Sequence, residues 1–141
     1  MISDFQGKTA VITGAGSGFG LACARIGASL GMQLVLIDVQ QDTLDAANAE
    51  LQAAGAQTLA FRLDVSDAAQ MEAMAGSVKS RWGAPHLVFN NAGVGSGGLI
   101  WENTAKDWEW VLGVNVMGVV HGVRLFTPMM LEAAAQDAAW Q

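Results

Sequence analysis

Four glycines within seven residues are the first sign of chemistry. Thr13-Gly14-Ala15-Gly16-Ser17-Gly18-Phe19-Gly20 follows a β-prone run, Lys8 to Thr13, and precedes small and apolar residues from Leu21 to Leu30. A strand that turns into a helix presents backbone N–H groups and the positive end of the helix dipole, which suits a phosphate. Glycines let that backbone come close to a pyrophosphate where side chains would block it. The spacing is T-G-x-x-x-G-x-G. It is not G-x-G-x-x-G, which would need glycine at Phe19, nor a P-loop, which needs Lys followed by Ser or Thr. Taken alone, the glycines serve equally well as a tight turn that lets a helix approach a strand.

A carboxylate at a set distance breaks that balance. Asp38 ends the next β-prone run, Gln33 to Ile37, and stands 18 residues after Gly20. At the end of a second strand a carboxylate can accept both ribose hydroxyls of an adenosine, and it would repel a 2′-phosphate. No Arg or Lys occurs between Arg25 and Arg62 to attract one. The expected cofactor is therefore NAD, with NADP disfavoured. Alone, Asp38 would be a turn-starting acid; joined to the glycine loop at this spacing, it points to a dinucleotide.

The other chemistry-bearing residues assemble into nothing comparable. One cysteine and two distant histidines, His86 and His121, lack the ligand set of a zinc site, so no metal is expected and both histidines are read as packing or capping residues. Cys23 has no His or Asn partner in the sequence and is expected to be a small buried side chain. Trp101, Trp108 and Trp110 could edge a substrate pocket, although a packing or subunit surface is the commoner use of such a cluster.

The elements that must position these residues alternate. After the first strand and helix come the strand ending at Asp38 and a helix with Asp42 as N-cap and Asp45 in its first turn, running to Ala54 and stopped by Gly55. Thr58 to Leu63 returns to strand. Ser66 and Asp67 cap a helix to Trp82, closed by Gly83 and Pro85, and His86 to Phe89 is a fourth strand. Strands separated by helices of about 10–15 residues are βαβ units, whose parallel sheet is covered on both faces. The expected fold class is α/β, a Rossmann-like doubly wound parallel sheet. Asn90 to Ile100, glycine-rich and uncharged, is read as a loop. Thr104 and Asp107 then open a final helix. Its apolar residues run all round it, so burial is expected, with Pro128 as a kink or break.

Length and composition agree. The 141 residues fit one domain, 1–141, and 52% hydrophobic against 14% charged residues is the reverse of a disordered segment. An excess of 13 acids over 7 bases disfavours nucleic acid and anionic membrane as partners. Met1 to Gly7 carries Asp4 and no long apolar run, so no signal peptide is expected, and no uninterrupted apolar run approaches the roughly 18 residues of a membrane span. The single cysteine fits a reducing, cytoplasmic setting.

With the glycine loop, three further motifs occur in order: Leu63-Asp64-Val65, Asn90-Asn91-Ala92-Gly93 and Asn115-Val116-Met117-Gly118. In these the whole chain resembles the short-chain dehydrogenases/reductases. That resemblance implies hydride transfer between a nicotinamide and an alcohol or ketone substrate, and a sheet of order 3-2-1-4, which right-handed crossovers also favour. It implies that Gly14, Gly16, Ser17, Gly18, Phe19 and Gly20 form the pyrophosphate loop, that Asp64 and Val65 bracket the adenine, and that Asn90 to Gly93 flank the ribose. Read without the family, Asp64 is a helix-opening acid and Asn90 and Asn91 are turn formers. Asn115 is the one member of the family's Asn-Ser-Tyr-Lys catalytic set present; in relatives it distorts its helix and its backbone holds a water linked to the lysine. An amide satisfied by local hydrogen bonds in a buried helix describes it equally well.

The departures matter as much. The chain has no tyrosine and no Y-x-x-x-K motif, and a fifth strand would begin at Gln141. The expectation is an N-terminal, truncated part of such an oxidoreductase, inactive alone. The rival readings are a noncatalytic NAD-binding module, a partner-dependent fragment, or a fragment without function. Self-association or partner binding is expected through the fourth strand and last helix.

Overall fold

The computed structural model describes residues 4–136, so Met1, the end of the alanine-rich tail and Gln141 lie outside the described residues. Four strands, β1 (Thr9–Thr13), β2 (Gln33–Asp38), β3 (Thr58–Arg62) and β4 (Leu87–Phe89), form one parallel sheet of order β3-β2-β1-β4. Parallel neighbours require crossovers. These are α1 (Gly18–Ser29), α2 (Gln41–Ala53) and α3 (Ala68–Trp82), and the last segment comprises α4 (Ala105–Leu112), one π-helical stretch Gly113–Met117 and α5 (Gly118–Gln136).

Side chains of successive strand residues point to opposite faces, and the sequence uses both. Ala10, Ile12, Leu34 and Leu36 pack with Ala24, Leu44 and Leu51 of α1 and α2. Val11, Val35 and Ile37 pack on the other face with Met71, Met74 and Val78 of α3 and Phe126 of α5. Coverage on both faces holds for β1 and β2; the edge strands β3 and β4 are only partly buried.

Three local expectations change. In α1 the buried face is Gly20, Ala24 and Gly27, whereas Ile26 and Leu30 are exposed. The smallest residues face the sheet because the helix lies so near it that a Cβ on Gly27 would stand 2.8 Å from Leu34 Cδ2. Cys23, expected to be buried, is exposed on the outer face of α1. The N-cap of α2 is Gln40 rather than Asp42, which sits in the first turn. The Asp38 carboxylate accepts the Gln40 N–H at 3.0 Å and closes the turn earlier.

The other caps follow the sequence. Asp67 Oδ1 accepts the Gln70 N–H at 3.0 Å, and that bond holds its carboxyl below the usual range. Thr104 and Asp107 form a capping box, and the Thr104 hydroxyl and N–H lower the Asp107 pKa in the same way.

The final helix is not mostly buried. Its buried residues are Val114, Gly118, His121, Gly122 and Phe126, and Leu125, Met129 and Met130 pack half-buried against the same core. Leu112, Val116, Val119, Val120 and Val123 are exposed, because one sheet face covers one helical stripe and no more. Nor does Pro128 end the helix, which continues to Gln136. By length and composition the continuous helix 105–136 is the one helix among the described residues that could cross a membrane. Its inward stripe packs on this sheet, and it carries the buried His121, whose Nδ1 accepts from Arg124 Nε at 3.1 Å.

Candidate functional site

The carboxyl ends of the strands meet in a cleft of about 400 Å³, within the range of ligand sites, about 300–1,000 Å³. Beside β1 its wall is the glycine loop. Gly14 leaves the strand with φ +66°, and a Cβ there would lie 2.9 Å from Asn91 Nδ2 and 3.1 Å from Ala92 Cα. Gly20 is packed beneath it, where a Cβ would run into the Gly14 carbonyl. Ser17 is the N-cap of α1 and makes no side-chain capping bond. The first-turn N–H groups of any α-helix lack intrahelical partners.

Asp38 is tied to this loop directly. Its Oδ2 accepts the Gly16 N–H at 2.9 Å, so the carboxylate stands at the mouth of the cleft with the loop behind it. The register of β2 and β3 pairs Asp38 with Arg62, and Arg62 Nε donates to Val39 O at 3.3 Å. Sequence distance concealed this cation, which strand pairing sets directly opposite Asp38. None of the residues lining the cleft is Lys or Arg. A pyrophosphate there would be met by backbone N–H groups.

A second loop is fastened to the first through Thr13. Its Oγ1 accepts the N–H groups of Asn91 and Ala92, both at 2.9 Å, and Asn91 Nδ2 donates to Thr13 O at 3.0 Å. Asn115 then holds the far side of that loop: its Nδ2 donates to Val94 O, and its Oδ1 accepts the Val94 N–H, both at 2.8 Å. Asn115 is exposed, so it is not an amide satisfied locally in a buried helix. It lies inside the π-helical stretch, where an extra residue per turn interrupts the α-helical ladder, a feature often found at functional sites.

Of the residues singled out from the sequence, Gly14, Ser17, Gly18, Phe19, Asp38, Asp64, Val65, Asn91, Ala92 and Gly93 line the cleft. Gly16 and Gly20 stand behind that lining, as support. Asn90 is not brought in: it lies in a separate groove beside β4, where a Cβ on Gly122 would run into its Oδ1. That oxygen is buried without a hydrogen-bond partner. Asp64 uses Oδ1 to accept Ser66 N–H at 2.9 Å and Ser66 Oγ–H at 2.7 Å, which fixes the loop entering α3.

Thr13, Val94 and Val114 were missed; Trp110, for which a packing or subunit surface is the commoner use, instead lines the cleft, and Arg62 is set near it by the register. A threonine ending a strand before glycine is a usable signal for Thr13. The rest depend on which elements become neighbours.

The comparisons place this arrangement. The family profile described as short chain dehydrogenase matches residues 8–137, and the chain belongs to that family. A short chain dehydrogenase/reductase from Burkholderia phymatum, solved in complex with NAD, superposes with a TM-score of 0.90 at 58% identity, over 92% of this chain and 46% of that one. The C alpha-dehydrogenase of Sphingobium sp. is 37% identical over 92% of this chain and 43% of its own length. L-sorbose reductase from Gluconobacter frateurii, complexed with NADPH and L-sorbose, gives a TM-score of 0.86 at 35% identity, over 94% of this chain and 51% of that one. The chain thus spans about half the length of the relatives it matches.

Proposed function

We propose that residues 1–141 form the nucleotide-binding part of an NAD-dependent oxidoreductase that transfers hydride between nicotinamide and an alcohol or ketone. The observation that carries this is the bond from Gly16 N–H to Asp38 Oδ2 at 2.9 Å. It joins a phosphate-binding loop to a ribose-binding carboxylate at the cleft. The residues fit the group: Gly14 and Gly20 leave no space for a Cβ, which brings backbone rather than side chains to the cleft. In this reading Ser17, Gly18 and Phe19 hold the pyrophosphate and Asp38 accepts the ribose hydroxyls. Asp64 and Val65 border the base, and Asn91 to Gly93 line the other wall. When bound, NAD supplies or accepts the hydride. Asn115 holds the Val94 loop and is a positioning residue.

Acid–base help for such a transfer typically contributes about 10²–10⁴-fold. The family resemblance assigns it to a tyrosine, and this sequence contains none, so turnover depends on residues this sequence lacks. A second reading is a noncatalytic NAD-binding or partner-dependent module. The exposed apolar residues of α4 and α5 and the partly open β4 edge support association with a second copy or another chain. The lone cysteine remains the basis for a cytoplasmic setting.

Calorimetric titration decides the cofactor. NAD is expected to bind more tightly than NADP, and Asp38→Ala to erase that preference. Tighter binding of NADP by the unsubstituted chain refutes the assignment. Reproducible NADH formation from secondary alcohols, using protein from a host lacking related enzymes, would refute the dependence on further residues.

A further inference from the structure

Trp110 is 50% exposed although Val114, one turn further along the same helical face, is buried in the core cluster that includes Leu63 and Val65. Gly113 comes close to the same loop: a Cβ there would lie 3.4 Å from Ser66 Cβ. The indole therefore stands beside the Asp64–Val65 loop, and it lines the cleft together with those two residues. Trp108, two residues earlier, lines a separate pocket with Ser96 and Asn103. The capping box at Thr104 and Asp107 fixes the start of α4, so Trp110 is carried on a rigid element.

A half-exposed indole at the rim of a cleft otherwise walled there by valines offers a flat π surface at the end assigned to the base. Base–aromatic stacking is favourable for any purine because every base has a π face. We infer that Trp110 stacks on the adenine of the bound nucleotide, adding affinity for adenine nucleotides that does not pass through Asp38. This rests on the NAD reading above and specifies a contact that none of the four motifs contains.

The probe is ADP-ribose, which carries the adenine, both riboses and the pyrophosphate without nicotinamide. Trp110→Ala is expected to raise its dissociation constant about tenfold, toward the lower end of the stacking range. Trp110→Phe, which keeps an aromatic face, is expected to stay within about threefold of the unsubstituted chain. ADP-ribose should also quench tryptophan fluorescence in the unsubstituted chain but not in Trp110→Phe. Since Trp110 is not part of the core, the melting temperature should hold in both variants. Unchanged ADP-ribose affinity in Trp110→Ala, or quenching that persists in Trp110→Phe, overturns the stacking role while leaving the NAD reading intact. Failure of the unsubstituted chain to bind ADP-ribose refutes the NAD reading first and the stacking role with it.

Discussion

Gly16→Ala tests the joint between loop and carboxylate, because this glycine has no strained φ to complicate the result. An added Cβ would stand 2.6 Å from Thr43 Oγ1, 3.0 Å from Asp38 Oδ2 and 3.2 Å from Asp38 Cγ. Thr43 can rotate away and give up its bond to Gln40 O, 3.2 Å long, at a cost of about 0.5–1.5 kcal/mol. Asp38 has less freedom, since its two oxygens accept the Gly16 and Gln40 N–H groups. Pushing it aside gives up a hydrogen bond to a charged group, about 1.5–3 kcal/mol, and moves the acceptor from the ribose hydroxyls. NAD affinity should fall about 10- to 100-fold. Isothermal titration of NAD measures this, with thermal unfolding as a control for folding. Adding Thr43→Ala removes the 2.6 Å contact but not the one at 3.0 Å, so the double variant should regain only part of the loss. If Gly16→Ala binds NAD within twofold of the unsubstituted chain, the carboxylate is not the ribose acceptor and the reasoning fails.

Four further outcomes are expected. Asp38→Ala should gain NADP affinity through Arg62, which the register sets beside it, and adding Arg62→Ala should remove that gain in the same titration. Gly20→Ala would drive a Cβ into the Gly14 carbonyl, a backbone atom with no room to yield; at about 1–3 kcal/mol its melting temperature should drop by roughly 3–10 °C. Asp67 and Asp107 have carboxyl pKa values lowered in the fold by their capping bonds. Their stabilisation is therefore complete above the usual carboxylate range and lost as pH falls through it toward the lowered values. Thermal unfolding of Asp67→Asn/Asp107→Asn between pH 7 and 3 should show a shallower acid loss than the unsubstituted chain. Light scattering coupled to gel filtration should show self-association or aggregation; a sharp monomer peak near 14.7 kDa with cooperative unfolding would show that the exposed α4–α5 stripe needs no cover.

Local chemistry was enough for the strands and helices and their succession along the chain. The sheet order β3-β2-β1-β4, implied by the family resemblance and favoured by right-handed crossovers, is the one found. The glycine loop and Asp38 were legible because strand end and helix start set their spacing within one βαβ unit. Contacts between distant segments were not. Thr13 meets Asn91 across 78 positions and Asn115 meets Val94 across 21, and a side chain's type does not name its partner. Helix faces were hidden for the same reason. The last helix is apolar all round, so its pattern could not say which stripe the sheet covers, and Cys23 and Trp110 turned outward or toward the cleft by the rotation of their helices. Sequence determined which segments become strands and helices and where a glycine loop joins the first strand to its helix. Tertiary structure alone decided which side chains from different segments share the cleft, because strand register and helix rotation set those distances jointly.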